Sequence, residues 1–165
     1  MLDDVSIVAG WQAGVLGDII SLHGRYYALR WNFGPYFEAK VASELADFVR
    51  SRHLHPSQLW CVVDSMDRVL GSIVVDGCHG LDNGAHLRWF ILDQRCQGLG
   101  LGSKLMDAAL EFCRQQGFRR IYLWTFAGLH DARRLYESRG FVLVQELPGK
   151  TWGISVTEQR FELVL

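Results

Sequence analysis

Between an apolar run, His86 to Leu92, and an amphipathic run, Leu101 to Gln116, the chain reads Arg95-Cys96-Gln97-Gly98-Leu99-Gly100-Leu101-Gly102-Ser103-Lys104. A strand, a turn of alternating glycines and a helix start in direct succession form the strongest constraint on this chain. The first amides of a helix have no intrahelical acceptor, and the aligned peptide dipoles place partial positive charge there. Glycines remove the side chains that would keep an anion away from those amides. The turn is therefore read as the seat of a phosphate-bearing ligand.

The rest of the composition narrows the partners. A chain of 165 residues, 49% hydrophobic and 21% charged, fits one domain with its own core. A net charge of −1 gives no electrostatic case for nucleic acid or an acidic membrane. No apolar run reaches spanning length, and Met1-Leu2-Asp3-Asp4 does not open a signal peptide, so the expected location is cytoplasmic, with no membrane partner. Cys61, Cys78, Cys96 and Cys113 show no paired spacing, and Cys61 and Cys113 read as buried thiols. Cys96 could be weighed as a nucleophile, but no base is tied to it by sequence. His53-x-His55 and Cys78-His79 lack zinc spacing, so no metal site is expected.

Periodicity orders the elements. Val5 to Ala9 reads as a short strand. Asp18 to Arg30 reads as a helix, with Ile19, Leu22, Tyr26 and Leu29 as its apolar face. Pro35 opens a second helix with Phe37, Val41, Leu45, Phe48 and Val49 on one side. Leu59 to Val63, Val69 to Val75 and His86 to Leu92 are strands, with Gly77 to Gly84 as a loop. Leu101, Leu105, Ala108, Ala109 and Phe112 stripe the helix that Gly117 ends. Arg119 to Thr125 is a strand and His130 to Arg139 a helix. Phe141 to Leu147 and Val156 to Leu165 are strands. This β-α-α-β-β-β-α-β-α-β-β order predicts an α+β domain with a mixed sheet.

The glycines do not match a dinucleotide fingerprint. That pattern would put glycine at position 103, which is Ser103, and an acid at the end of the next strand, which reads Trp124-Thr125-Phe126. A P-loop needs Gly-Lys-Ser/Thr, and the order here is Gly102-Ser103-Lys104. A tight turn without any ligand stays open on the residues alone.

Gln97-x-x-Gly100-x-Gly102 resembles the (Gln/Arg)-x-x-Gly-x-(Gly/Ala) signature of the GNAT superfamily of N-acetyltransferases. Ala132-Arg133-Arg134-Leu135-Tyr136-Glu137-Ser138-Arg139-Gly140-Phe141 is similar to that family's Ala-x-x-x-Tyr-x-x-x-Gly-Phe element. His23-Gly24-x-x-Tyr27, Phe37-Glu38-x-x-Val41 and Asp47-Phe48 resemble the acetyltransferase half of bacterial fusions with a MarR-type regulator. The chain has no room for a winged-helix half, so DNA binding is not carried over.

The resemblance implies a single GNAT domain over residues 1–165. Its twisted, mostly antiparallel mixed sheet has about six to seven strands, flanked by about four helices. It implies acetyl-CoA as the acetyl donor, with the diphosphate held by the amides of Gln97, Gly98, Leu99, Gly100, Leu101, Gly102 and Ser103. The main chain of Ile91 and Leu92 would pair with the pantetheine arm where the strand kinks away from Arg119 to Thr125. Tyr136 would protonate the leaving thiolate, a task suited to a phenol protonated at neutral pH. On its residues alone it is equally a core aromatic.

His86 is a candidate general base or a satisfied strand histidine, with Asp76 and Glu38 behind it. Arg88 shares its strand face and could meet an acidic group on the acceptor. Trp31 and Phe33, before Pro35, are candidates to line an acceptor pocket. The expected reaction is attack by a primary amine, small or peptidic, on the thioester in a ternary complex. Open alternatives are a non-catalytic acyl-CoA-binding module and a subunit acting beside a separate DNA-binding protein. A homodimer is also an expectation from relatives.

Overall fold

The computed structural model describes residues 5–165. One seven-stranded sheet carries five helices. In chain order the elements are β1 (Ser6–Ala9), α1 (Val15–Trp31), α2 (Pro35–Ser51), β2 (Gln58–Val63), β3 (Val69–Asp76), α3 (Gly80–Asn83), β4 (Ala85–Leu92), α4 (Leu101–Gln116), β5 (Arg120–Phe126), α5 (His130–Ser138), β6 (Val142–Gly149) and β7 (Val156–Val164). The strand order is β1-β2-β3-β4-β5-β7-β6. Every neighbouring pair is antiparallel except β4 and β5. Those two are joined through α4, and only such a crossover lets consecutive strands run parallel.

Two apolar layers cover the sheet. On one face α4 buries Leu101, Leu105, Met106, Ala109, Leu110 and Cys113 against β3, β4 and β5 residues such as Ile73, Leu87 and Ile121. On the other face α1 and α2 bury Val15, Ile19, Leu45 and Phe48 against Leu59, Cys61 and Val74. A third cluster at the end of β5 gathers Phe33, Phe37, Val41 and Phe126. The α2 face follows its sequence pattern. The α1 face does not: its buried residues are Val15, Ile19, His23 and Gly24, while Leu29 is 79% exposed. Val15, Ile19 and His23 lie four apart on one line of the helix, and burying Val15 extends α1 three residues ahead of the expected start.

Gly24 lies where α1 and α2 pass. A Cβ there would fall 2.8 Å from Glu38 Oε2, so the glycine lets the Glu38 side chain lie against α1. The expected loop Gly77 to Gly84 holds one helical turn, α3, closed by Gly84 N–H to Gly80 O.

The sheet parts in its middle. β4 and β5 pair only at Ala85–Ile121 and His86–Tyr122. The β3–β4 register slips between Ser72 and Val74, and Trp89 takes a left-handed φ of 46°. Such a bulge bends the strand that carries it. Ser72 Oγ donates to Trp89 O at 2.7 Å and pins the distortion. Beyond His86 the two strands diverge, and the wedge between them opens toward the α4 start.

Gly77 lies at a close crossing where a Cβ would come within 2.1 Å of Pro56 O and 2.9 Å of Phe118 Cζ. Backbone cannot swing aside as a side-chain tip can. Gly77→Ala is expected to cost about 2 kcal/mol and lower the melting temperature by roughly 5 °C, readable by calorimetric or circular-dichroism melting.

Candidate active site

The wedge between β4 and β5 holds a cavity of about 1090 Å³. Its floor is the glycine turn. Gly98 and Gly100 have φ of 78° and 74°, a left-handed backbone that glycine adopts without strain. Gly100 is the N-cap of α4, and no side chain caps the helix. Lys104 N–H to Gly100 O, 3.1 Å, is the first bond of α4, so the amides of Leu101, Gly102 and Ser103 have no intrahelical acceptor. No acidic residue sits in the first turn to offset the dipole. Gln97, Gly98, Gly100, Leu101, Gly102 and Ser103 all line the cavity, while the Leu99 side chain is 53% exposed and turned away from it. At Gly102 a Cβ would meet Leu92 Cδ1 at 3.2 Å and Phe90 Cζ at 3.6 Å, filling the cradle. These features fit a diphosphate. Ile91 and Leu92 form the wall beside the cradle.

Tyr136 lies across the wedge on α5. It is 6% exposed, with the rings of Phe90, Phe141 and Phe161 at 5.8 to 6.2 Å. Burial pushes its phenol above the usual tyrosine value, because a phenolate would lose its hydration. The group therefore holds its proton, and it faces the cavity. Cys96, also on the wall, is a buried thiol whose pKa is raised by that burial, which removes the thiolate a nucleophile needs.

His86 lines the cavity and stacks on Tyr122 at 4.6 Å. Burial, then Arg88, His79 and Arg160, lower it to about 3. The imidazole is neutral at physiological pH but binds a proton weakly, so it is a much poorer base than its residue type suggests. Asp76 is off the wall and bound to Arg88. Glu38 is exposed beside Gly24.

Arg88 reaches the wall already engaged, with Glu44 at 2.6 Å, Asp76 at 3.2 Å and the Trp89 ring at 4.1 Å. Glu44 also pairs with Lys40. Trp31 lines the cavity edge-on to Phe126 at 4.9 Å, and a Cβ on Gly128 would strike it at 2.4 Å. Phe33 departs from its expected place. It is 4% exposed, stacked on Tyr27 at 5.4 Å and edge-to-face with Phe37 at 5.0 Å, behind the wall rather than on it. Three aromatics within reach made a closed cluster more favourable than a ring left against water.

Sequence reasoning missed His23, Lys40, Glu44, Trp152 and Glu158, all on the wall. His23 stands in the His23-Gly24-x-x-Tyr27 resemblance and shares a helical line with Ile19, and these two signals could have assigned it to the wall. The others come from the α2 flank, the β6–β7 turn and β7, brought together only by folding. Among the described residues no group of three or more His, Cys, Asp or Glu side chains could hold a metal ion, and no helix is long and apolar enough to cross a membrane.

His23 Nδ1 donates to Ile19 O at 2.8 Å, and burial lowers its pKa to about 4. An unfolded histidine titrates near ~6.5. The unfolded chain thus binds this proton first as the pH falls. Stability should drop between about pH 6.5 and 4, by about 3 kcal/mol from this residue. The melting temperature of His23→Gln should fall less steeply over that window than that of the wild type.

Residues 18–141 match the model of the Acetyltransferase (GNAT) family. Human N-acetylaspartate synthetase is 31% identical over 144 residues, which is 83% of this chain and 46% of that protein. Mycothiol acetyltransferase of Beutenbergia cavernae is 35% identical over 91 residues, 54% of this chain and 30% of that protein. The chain thus spans about half or less of these relatives. YncA from Salmonella typhimurium, solved with its cofactor acetyl-CoA, superposes with a TM-score of 0.74 at 18% identity, covering 99% of this chain and 95% of that one. Vibrio cholerae spermidine N-acetyltransferase, solved with CoA and spermine, gives a TM-score of 0.70 at 22% identity, with 97% and 95% covered. With the uncapped start of α4, the parted strands and the family match over most of its length, the chain belongs to the GNAT family of acetyltransferases.

Proposed function

We propose that this domain acetylates a primary amine from acetyl-CoA by direct attack within a ternary complex. The observation that carries the reading is the row of unpartnered amides at the start of α4, opening into a cavity that also holds Tyr136. Acetyl-CoA, when bound, supplies an activated acetyl thioester. Gln97 to Ser103 hold the diphosphate through main-chain N–H groups. The Ile91 and Leu92 main chain, freed from β5 by the parting of the strands, adds the pantetheine arm as an edge strand would. Tyr136 keeps its proton until a thiolate develops and then donates it, and the proton shed by the acylated nitrogen restores the phenol.

His86 does not serve as a strong base in this scheme. The free-base fraction of the acceptor supplies the nucleophile, and the wall orients it. Arg88, neutralised by Glu44 and Asp76, shapes the acceptor side, and Trp31 forms its aromatic edge, with Phe33 supporting from behind. The finer likeness to regulator-fused acetyltransferases belongs to this proposal. His23, Gly24, Tyr27, Phe37 and Glu38 meet at the α1–α2 crossing, where Tyr27 packs on Phe37 at 5.0 Å. A cytoplasmic setting and a homodimer are likewise part of it.

Two variants test the roles. Gly102→Val should weaken CoA binding by about tenfold or more in titration calorimetry, since its methyls occupy the cradle. Unchanged affinity would overturn the diphosphate seat. Tyr136→Phe should lower kcat by roughly ten- to a hundredfold with little effect on CoA affinity. In the wild type, kcat/KM should rise with pH as the acceptor amine deprotonates, with no falling limb below about pH 10, because burial keeps Tyr136 protonated. Tight CoA binding without thiol release across a broad amine panel would favour a non-catalytic module.

A further inference from the structure

We propose that Glu158 docks the positive charge of the acceptor as it enters, and that the acceptor is a cationic amine with an apolar or aromatic body; the docked ammonium releases its proton to solvent before the nitrogen attacks the thioester. The assignment of this cavity to an acceptor rests on the functional reading above. The docking itself is a binding property and is tested as one.

Glu158 sits on β7 opposite Phe126 and is 6% exposed, yet it forms part of the cavity wall. Its Oε1 accepts from Thr151 N–H at 2.8 Å, which anchors the carboxylate at the β6–β7 turn. Space is kept for it: a Cβ on Gly149 would lie 2.3 Å from Oε1 and 2.9 Å from Oε2.

The surrounding charges leave this carboxylate alone. Glu44, also on the wall, is paired with Lys40 and Arg88. Asp131 has Arg134 at 3.7 Å. Among the described residues Glu158 is the wall carboxylate with no cation within ion-pair distance. A buried carboxylate without a cation is costly, and an incoming ammonium removes that cost. Of the wall cations, Lys40 and Arg88 are paired with carboxylates, and Arg30, which has no carboxylate partner among the described residues, is exposed to solvent rather than buried in the wall, so Glu158 is the buried charge left without a counter-ion.

The aromatic surroundings extend the argument. Trp31, Phe126 and Trp152 line the same cavity, with Phe126 at 4.9 Å from Trp31 and 5.7 Å from Trp152. Ring faces attract cations and accept apolar bodies. A carboxylate that shares a cavity wall with three aromatic rings selects a charged amine carried on a hydrophobic group.

The test is titration calorimetry on CoA-saturated protein near neutral pH, with phenethylamine as the cationic aromatic probe and aniline as a neutral one. Glu158→Gln keeps the acceptor for Thr151 N–H and removes the charge. It should weaken phenethylamine binding by about tenfold or more, while aniline and CoA change by less than about twofold. Trp152→Leu should weaken phenethylamine more than methylamine, and this second variant decides the matter should Glu158→Gln fail to fold.

Equal phenethylamine affinity in Glu158→Gln and wild type, equal losses for both probes, or no binding to the wild type overturns the proposal. So does a Trp152→Leu variant that treats phenethylamine and methylamine alike. Thiol release measured on the same samples with acetyl-CoA separates the two readings. Docking lost in the variant without wild-type turnover sustains Glu158 and overturns acetyl transfer. Turnover with an unchanged phenethylamine KM in the variant does the reverse.

Discussion

The parting of β4 from β5 is the constraint on which the rest of the structure depends. Two residue pairs join them, and then the strands separate. A parallel pair in mid-sheet would normally run on, since each lost ladder bond leaves backbone groups without partners. Here the Trp89 bulge, pinned by Ser72, turns β4 aside, and the α4 crossover is tied to its end. The wedge that results exposes main chain on one side and the uncapped start of a helix on the other. Both are hydrogen-bonding groups awaiting an external partner, which is why the defect in the sheet and the functional site coincide.

The walls show how burial changes the chemistry of familiar residues. Tyr136 and His86 both sit in the wedge, and desolvation acts on each by penalising its charged form. For the phenol this preserves the proton that a donor must hold. For the imidazole it removes the proton affinity that a base must have. The same burial that costs the histidine its basicity leaves the tyrosine protonated but holds that proton more tightly, so its proposed role is hydrogen-bond donation to a developing thiolate, with transfer following as the thiolate forms. Arg88, a free cation in the sequence, is folded into a network with Glu44, Asp76 and the Trp89 ring, so it organises the wall.

The glycine turn was legible because its properties are local. Left-handed φ at Gly98 and Gly100, an uncapped N-terminus and a bare Gly102 all follow from a short stretch of chain. The α2 and α4 stripes were legible for the same reason, since helix periodicity assigns a face without reference to distant residues. The α1 face was misread by one line of the helix because Leu22, Tyr26 and Leu29 form as regular a stripe as Val15, Ile19 and His23. Only the sheet chose between them. The expectation that Phe33 lines an acceptor pocket fails because the partners that enclose it, Tyr27, Phe37 and Phe126, come from three different elements.

By itself the sequence determined the succession of the main strands and helices, the glycine turn at the start of α4 and the tyrosine helix, because each rests on spacing within a few turns of chain. The tertiary structure alone decided which side chains share the cavity. Lys40 and Glu44 arrive from α2, Trp152 from the β6–β7 turn and Glu158 from β7, and their charges are balanced or left unbalanced only after packing. Coulomb interactions and desolvation depend on distance through space, and no spacing rule along the chain encodes that distance.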